Sequence, residues 1–135
     1  MEDNNRALSQ YRYKRCLEEL QNARTTMDAG LFKLALNRSY YSIFYGIRAI
    51  NVLDGFDSSK HSGVIAHFNQ YHVKNGDFPP EVSKIIKSAS IFREQADYED
   101  FFVASRLDAK VQIENAEIFA EIIGQFLQEN DILAP

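Results

Sequence analysis

The segment LFKLALNRSYYSIFYGIRAINVL, residues 31–53, decides the fold because it is a long helical pattern without a single acidic residue. Since successive residues of a helix are about 100° apart, its aliphatic residues gather on one side. They are Leu36, Ile43, Ile47 and Ile50. The opposite side is aromatic and basic, with Arg38, Tyr41, Tyr45 and Arg48. Neither side is typical of a solvated surface, so we predict a helix that is covered on both sides.

The aromatic and basic side of this helix has three possible covers. A partner subunit is one, because interfaces favour tyrosine and arginine. A flat anionic ligand is the second, because arginine binds phosphate and bases stack on aromatic rings. Ordinary tyrosine-rich packing is the third. On the second interpretation, Arg38, Tyr41 and Tyr45 are candidate residues for binding a nucleotide or RNA.

Glycines and prolines divide the chain into five helical segments, and no segment has a convincing strand pattern. The first covers about residues 5–28, with Tyr13, Cys16, Leu17, Leu20, Ala23 and Met27 as its apolar stripe. The second is residues 31–53. The short third segment follows Ser58 or Ser59 as a cap and carries Val64, Ile65, Phe68 and Tyr71. The fourth begins at PPEVSK, residues 79–84.

The fifth segment begins near Ser105, where Asp108 completes a short variant of the capping box. Its apolar stripe is Ala109, Ile113, Ala116, Ala120, Ile123 and Leu127. Four long helices and one short helix with short connections predict an all-α fold. It is an antiparallel up-and-down four-helix bundle with one additional short helix, formed by residues 1–135 as a single domain.

Composition narrows the classes of function. The net charge of −4 gives no overall attraction to nucleic acid, so no DNA partner is expected and an RNA site has to be local. The polar N-terminus is not typical of a signal peptide, and no apolar run approaches the roughly 20 residues of a membrane helix. The single cysteine, Cys16, lies on a helical stripe and is expected to be a buried small hydrophobe. These features predict a cytoplasmic protein without a membrane partner.

The fourth helix has an arginine where an apolar residue is expected. Its stripe consists of Val82, Ile85, Ile86, Ala89, Phe92 and Ala96. Arg93 follows Val82 by eleven residues and so lies about 20° from it, inside the stripe. A guanidinium on such a face needs a carboxylate or a groove. Arg93 either pairs with Asp97 or another acid, or lines a cleft that receives phosphate, with Asp97 and Tyr98 beside it.

Three segments carry a resemblance to a known family. NRSYYSIFYGIRAI (37–50), KHSGVIAHF (60–68) and FREQADYEDF (92–101), in this order and spacing, resemble the HEPN superfamily. The similarity covers about residues 5–130 and is greatest to short stand-alone members that are commonly encoded beside a minimal nucleotidyltransferase. It implies a dimeric bundle. Many such proteins are ribonuclease toxins with the nucleotidyltransferase as antitoxin, and others bind nucleotides or RNA without cleavage.

The resemblance also suggests catalytic residues. The usual motif of the family is an arginine followed, after four to six residues, by a histidine. Arg93 matches the arginine and is expected to stabilise the phosphorane. Tyr98, after four intervening residues, occupies a position where the motif allows histidine, and it can donate a proton or a hydrogen bond. His61 can supply the imidazole if the fold brings it near Arg93, and Lys60 beside it adds positive charge.

The predicted function is therefore a toxin-type ribonuclease with a phosphate-binding cleft centred on Arg93. The alternative is a nucleotide- or RNA-binding module, with Asp97 among the binding residues, that partners a nucleotidyltransferase without cutting RNA. A third possibility is that the nucleotidyltransferase modifies the Tyr98 hydroxyl. Ile91 and Tyr98 lie opposite the buried stripe of the fourth helix, which favours a homodimer.

No cofactor and no metal site are expected. The sequence has no glycine-rich phosphate loop. His61, His67 and His72 are separated by six and five residues, whereas a metal-binding pair on a helix is usually separated by three or four. We therefore expect the three histidines to lie on different faces.

Overall fold

The computed structural model describes residues 3–135, with the backbone alone for Asp3. Met1 and Glu2, where the predicted domain begins, lie outside the described residues. Within residues 3–135 the structure has five α-helices and no strand. They are α1 (Asp3–Asp28), α2 (Phe32–Asn51), α3 (His61–Phe68), α4 (Glu81–Tyr98) and α5 (Arg106–Glu129). This confirms the all-α bundle with one short helix.

Two further helical turns modify the ends of α2 and α3. A 3₁₀ turn, Val52–Asp54, continues α2, and Gly55 ends it in the left-handed conformation with φ of 77°. A π-helical turn, Asn69–Val73, continues α3. In the part of the chain that the structure describes, no helix has the length and apolar character needed to cross a bilayer.

Helix α2 is the centre of the bundle and packs against α1, α3, α4 and α5. Its predicted core residues, Leu36, Ile43, Ile47 and Ile50, are each at most 1% exposed. The short connections make α1 and α2 one antiparallel pair and α4 and α5 another. Every residue of the predicted α5 stripe is buried, which confirms that seam.

The predicted stripe of α1 is right for Cys16, Leu20 and Ala23, which are buried. Burial raises the pKa of the Cys16 thiol to about 11, consistent with a small core hydrophobe. Leu17 is exposed, because the buried face of α1 is rotated away from it towards Arg12 and Glu19, which are buried. Tyr71 is exposed as well, because it lies in the π-helical turn, where the α-helical period no longer applies.

The predicted N-terminal cap of α5 is confirmed, and that of α3 is wrong. Ser105 and Asp108 form the capping box, with the Asp108 amide donating to Ser105 Oγ at 2.9 Å and the Ser105 amide donating to Asp108 Oδ2 at 3.1 Å. The expectation for α3 is wrong, since its N-cap is Lys60 without a side-chain bond. Ser58 instead accepts the Lys60 amide at 3.1 Å and fixes the turn that precedes the helix.

We expect Gly46→Val to lower the free energy of unfolding by about 1–3 kcal/mol through overpacking, as measured by urea denaturation. A Cβ at Gly46 would lie 3.0 Å from Phe119 Cε2 and 3.5 Å from Cys16 Sγ, and both side chains are fully buried. Gly63→Val in α3 is the matched control, because a Cβ there meets only Ser58 Oγ at 3.7 Å. An equal decrease in the free energy of unfolding in the two variants would contradict the close packing around Gly46.

Candidate functional site

The guanidinium of Arg93 lies among three tyrosines, Tyr40 and Tyr41 of α2 and Tyr98 of α4, which we call the tyrosine cluster. Its Cζ is 5.2 Å from the Tyr40 ring centroid, 5.6 Å from Tyr41 and 5.5 Å from Tyr98. Nη2 donates to Tyr41 Oη at 3.1 Å and to Tyr98 Oη at 3.5 Å. Burial acts to lower the pKa of Arg93, but Tyr41, Tyr98, Tyr40 and Asp97 together raise it. The guanidinium is thus a permanent cation held by aromatic faces.

Both interpretations of Arg93 describe part of the geometry. Its Nε donates to Asp97 Oδ2 at 3.0 Å, which is the ion pair expected one turn further along α4. Asn37 holds that carboxylate by donating from Nδ2 to both oxygens, at 3.1 and 2.9 Å. The Arg93 side chain nevertheless stays 17% exposed, and Tyr98 beside it is 70% exposed. Arg93 is therefore paired at the edge of a surface that a ligand can reach.

His61, the first residue of α3, reaches the same cluster through Tyr40. Its Nδ1 lies 2.7 Å from Tyr40 Oη, and its ring stacks on Phe44 with centroids 4.1 Å apart. The Tyr40 ring that accommodates Arg93 therefore also carries the hydroxyl that binds His61. The structure thus brings together the three residues predicted to be catalytic: Arg93, Tyr98 and His61.

The surroundings of His61 favour a neutral imidazole at pH 7. Burial and the positive charges of Arg93 and Arg48 lower the pKa of His61 below its ordinary value. Burial raises the pKa of Tyr40 to about 12, so its hydroxyl keeps its proton. Since Tyr40 engages Nδ1, Nε2 is the ring nitrogen that can exchange a proton with a ligand.

Arg38 borders the cluster, but its charge is balanced within the chain. Its Nη1 donates to Oε2 of Glu19, whose carboxylate is buried and requires a cation. Its Nε donates to Asn37 Oδ1 at 2.9 Å, and its Cζ lies 5.1 Å from the Tyr41 ring. A polar network therefore connects Glu19 through Arg38, Asn37 and Asp97 to Arg93.

Two predicted binding residues lie away from Arg93. Tyr45, one turn further along α2, lies under Arg15 of α1, with the guanidinium carbon 5.1 Å from the ring. Lys60 is exposed at the end of the loop that leads into α3. In the structure Tyr45 contacts α1, whereas Lys60 is a cation at the surface next to His61.

Side chains of this chain itself cover most of the aromatic and basic side of α2. Arg38 is paired with Glu19, Tyr41 contacts Arg93, and Tyr45 contacts Arg15. Arg48 donates to Asp57 Oδ1 at 3.1 Å, and Arg12 donates to the other oxygen at 2.8 Å. The packing interpretation is thus right for much of this side, and the part around Tyr41 remains accessible.

A HEPN domain model matches residues 9–126 of the chain. The chain belongs to the HEPN family. A UPF0332 protein of Thermotoga maritima is 31% identical over 120 residues, which cover 89% of this chain and 91% of that protein. A Methanocaldococcus jannaschii protein named "Putative toxin MJ0142" is 28% identical over 134 residues, covering 93% of this chain and 91% of that one.

Two solved structures share the fold of this HEPN domain. TT1696 from Thermus thermophilus has a TM-score of 0.74 at 14% identity, over 88% of this chain and 98% of that chain. ST0689, described as an archaeal HEPN homologue, has a TM-score of 0.63 at 19% identity, over 87% and 97%. At such identities the similarity supports the helical arrangement alone.

Sequence reasoning about this HEPN domain missed several residues. Tyr40 and Phe44 position His61, and Asn37 positions Asp97. The only sign of them in the sequence is that each lies one to three positions from a residue predicted to bind. The predicted separation of the histidines is wrong for His67 and His72, which meet at Asp54.

We expect His61 to titrate below pH 6.5 in an NMR titration of the histidine rings, and Arg93→Gln to raise its pKa by removing a nearby positive charge. Arg24→Gln, which removes an arginine paired with Glu117, is the control that should leave the His61 pKa unchanged. Because the pKa is lower in the folded chain, this group favours folding above pH 6.5, and that contribution is lost as the pH falls through the folded-state pKa. A wild-type pKa at or above 6.5 would contradict the assignment.

Proposed function

We propose that this HEPN domain is a toxin-type ribonuclease with a phosphate-binding cleft centred on Arg93. One observation carries the proposal: Tyr40 binds His61 Nδ1 through its hydroxyl at 2.7 Å while the Arg93 guanidinium lies 5.2 Å from the centroid of its ring. An imidazole and a guanidinium on one half-open surface are the groups that metal-independent cleavage of a phosphodiester requires.

In the proposed reaction, His61 is the tautomer whose Nδ1 donates to Tyr40 Oη, which leaves Nε2 unprotonated. Nε2 takes the proton from a ribose 2′-hydroxyl as the oxygen attacks the adjacent phosphorus. The bond to the 5′-oxygen of the next nucleotide breaks, which leaves a cyclic phosphate and a 5′-hydroxyl. Arg93 stabilises the negative charge of the phosphorane. Tyr98, whose hydroxyl lies 3.5 Å from Arg93 Nη2, donates the proton that the leaving oxygen needs.

Two features of the site support access for phosphate and base. Within residues 3–135, Arg93 Nη1 has no hydrogen-bond partner, so a phosphate oxygen can accept from it while Nε keeps Asp97. The exposed ring of Tyr98 offers a face on which a base can stack. Lys60, an exposed cation next to His61, is proposed to contact a neighbouring phosphate of the same strand.

A non-cleaving binding module is the second candidate, and the Arg93–Asp97 contact favours it. A carboxylate 3.0 Å from the guanidinium reduces the positive potential offered to a phosphorane, although it still orients the arginine for binding. In this alternative the tyrosine cluster and Arg38 hold a nucleotide or RNA, and no bond is broken.

We propose a homodimer and a minimal nucleotidyltransferase antitoxin as the protein partners. Two relatives that carry the name "Putative toxin" support the pairing with an antitoxin. Ile91 and Tyr98 of α4 are exposed, as are Phe101 and Val103 in the connection to α5. Such apolar surface beside the site favours contact with another protein.

Expression of the wild-type chain alone in a bacterium should arrest growth and fragment RNA. Arg93→Ala and His61→Ala should each restore growth, and the rate of RNA cleavage by the purified variants should fall by about 10²–10⁴-fold. Arg24→Ala removes the same charge on α1 and should behave as wild type. Circular dichroism establishes that each variant is folded.

RNA binding separates the two candidates. For a ribonuclease, His61→Ala should still bind RNA, whereas Arg93→Ala should lose both binding and cleavage. Wild-type protein that binds RNA or nucleotides but never cuts supports the binding module. If the folded wild-type chain neither binds nor cuts RNA, both candidates are wrong.

A further inference from the structure

A second group of functional side chains lies at the other end of α3. Asp54 Oδ2 is 2.9 Å from His67 Nε2 and 2.6 Å from His72 Nε2, so one carboxylate oxygen meets two imidazole nitrogens. Asp54 ends the 3₁₀ turn after α2, His67 lies in the last turn of α3, and His72 lies in the π-helical turn. Three potential metal ligands from three successive elements therefore converge within 4.8 Å of one another.

The π-helical turn explains why two histidines five residues apart can meet. In an α-helix the fifth residue lies about 140° around the axis, on another face. A π-helical turn closes with a bond from i to i+5, which brings residues at that spacing back to one side. The amide of Lys74 donates to the Asn69 carbonyl at 3.0 Å in such a bond. The turn thus creates the histidine pair.

Aromatic packing fixes the orientation of both imidazoles. The His67 ring stacks on Phe56, with centroids 4.0 Å apart and planes 11° apart, and Tyr71 lies 4.7 Å away. His72 is buried beside Phe68 and Phe78, at 5.7 and 6.3 Å. Rings held in this way direct Nε2 at Asp54 without a further loss of rotamer entropy when a ligand binds.

The far nitrogen of His72 has the partner that a metal-binding histidine needs. His72 Nδ1 lies 3.0 Å from Asp77 Oδ2. When an ion takes the place of the proton that Nε2 donates to Asp54, Nδ1 keeps its own proton for Asp77, and the neutral ring offers the lone pair of Nε2 to the ion. A carboxylate behind a histidine in this manner fixes the tautomer and increases the basicity of the ligating nitrogen.

We propose that Asp54, His67 and His72 form a binding site for a divalent transition metal ion, with Zn²⁺ as the ion that fits best. Two imidazole nitrogens and one carboxylate oxygen are a common three-ligand set for Zn²⁺, and water supplies the fourth position. A cavity of about 180 Å³ borders Asp54 and His72 and gives that water room. The site does not rest on the proposed ribonuclease function.

To bind the ion, the three ligand atoms, which lie within 4.8 Å of one another, have to adopt tetrahedral spacing. Tetrahedral Zn²⁺ with bonds of about 2.0–2.1 Å separates its ligand atoms by about 3.3 Å, slightly more than the present hydrogen-bond distances. The Asp54 side chain is 35% exposed, so it can move outward while the stacked rings stay in place. With neutral imidazoles, the charges of Asp54 and Asp77 balance the two charges of the ion.

The test is calorimetric titration of Zn²⁺ into the full chain, purified without a histidine tag and stripped with a chelator. We expect one ion per chain, and Co²⁺ in its place should give the intense visible absorption of a tetrahedral site. His67→Ala should abolish binding, and Asp77→Asn should weaken it by about 10–100-fold. His61→Ala is the matched control, because His61 binds Tyr40 instead, and it should bind as wild type.

Several outcomes would overturn the proposal. They are an absence of binding by folded wild-type protein, equal affinity in wild type and His67→Ala, and equal losses in His61→Ala and His67→Ala. If His67→Ala fails to fold, the Co²⁺ spectrum of the wild type and the affinity of Asp77→Asn decide the matter. An octahedral spectrum together with an unchanged Asp77→Asn affinity would then refute the site.

Discussion

The bundle depends on one constraint: the two arginines of α2 must find opposite charges on other helices or loops. α2 packs against four other helices and contains no acid, so Arg38 and Arg48 lie between neighbouring elements, whereas Lys33 is exposed near its start. Glu19 of α1 balances Arg38, and Asp57 in the following loop balances Arg48. The Glu19 carboxylate is 3% exposed, so leaving it unpaired would cost several kcal/mol, a large part of a domain's stability. Helix packing and charge pairing therefore select the same arrangement.

The candidate site is a consequence of that arrangement. Tyr40 is 3% exposed and Tyr41 is half-buried, and the two neighbours present one ring to the core and one to the edge of the bundle. Arg93 of α4 and His61 of α3 converge on these rings from different directions. The aromatic contacts allow two positively charged or chargeable groups to share a small space, because ring faces attract the guanidinium while burial keeps the imidazole neutral. The candidate site thus lies on the helix that packs against all four others.

Much of the fold could be predicted from the sequence, because long amphipathic periods and the Ser105–Asp108 capping box are local signals. A helical wheel also predicts that Ile91 and Tyr98 are exposed and that Arg93 lies beside Asp97. Proximity between distant segments of the chain cannot be predicted in this way. That His61 meets Tyr40, and that Asn37 holds Asp97, depends on how three helices cross. The meeting of His67 and His72 was missed because the prediction assumed a regular α-helix, and a single π-helical turn changes which residues share a face.

The shortness of α3 has a consequence for how the protein moves. A helix of eight residues is not stable alone, so its order depends on its packing against the rest of the chain. At one end the His61 ring is fixed by Tyr40 and Phe44, and at the other His67 and His72 are fixed by Asp54. Val64 and Phe68 between these ends are buried in the core, so the middle of the segment is held as well. The two histidine groups are therefore separated by about 12 Å of packed helix, and local opening at one end leaves the other in place.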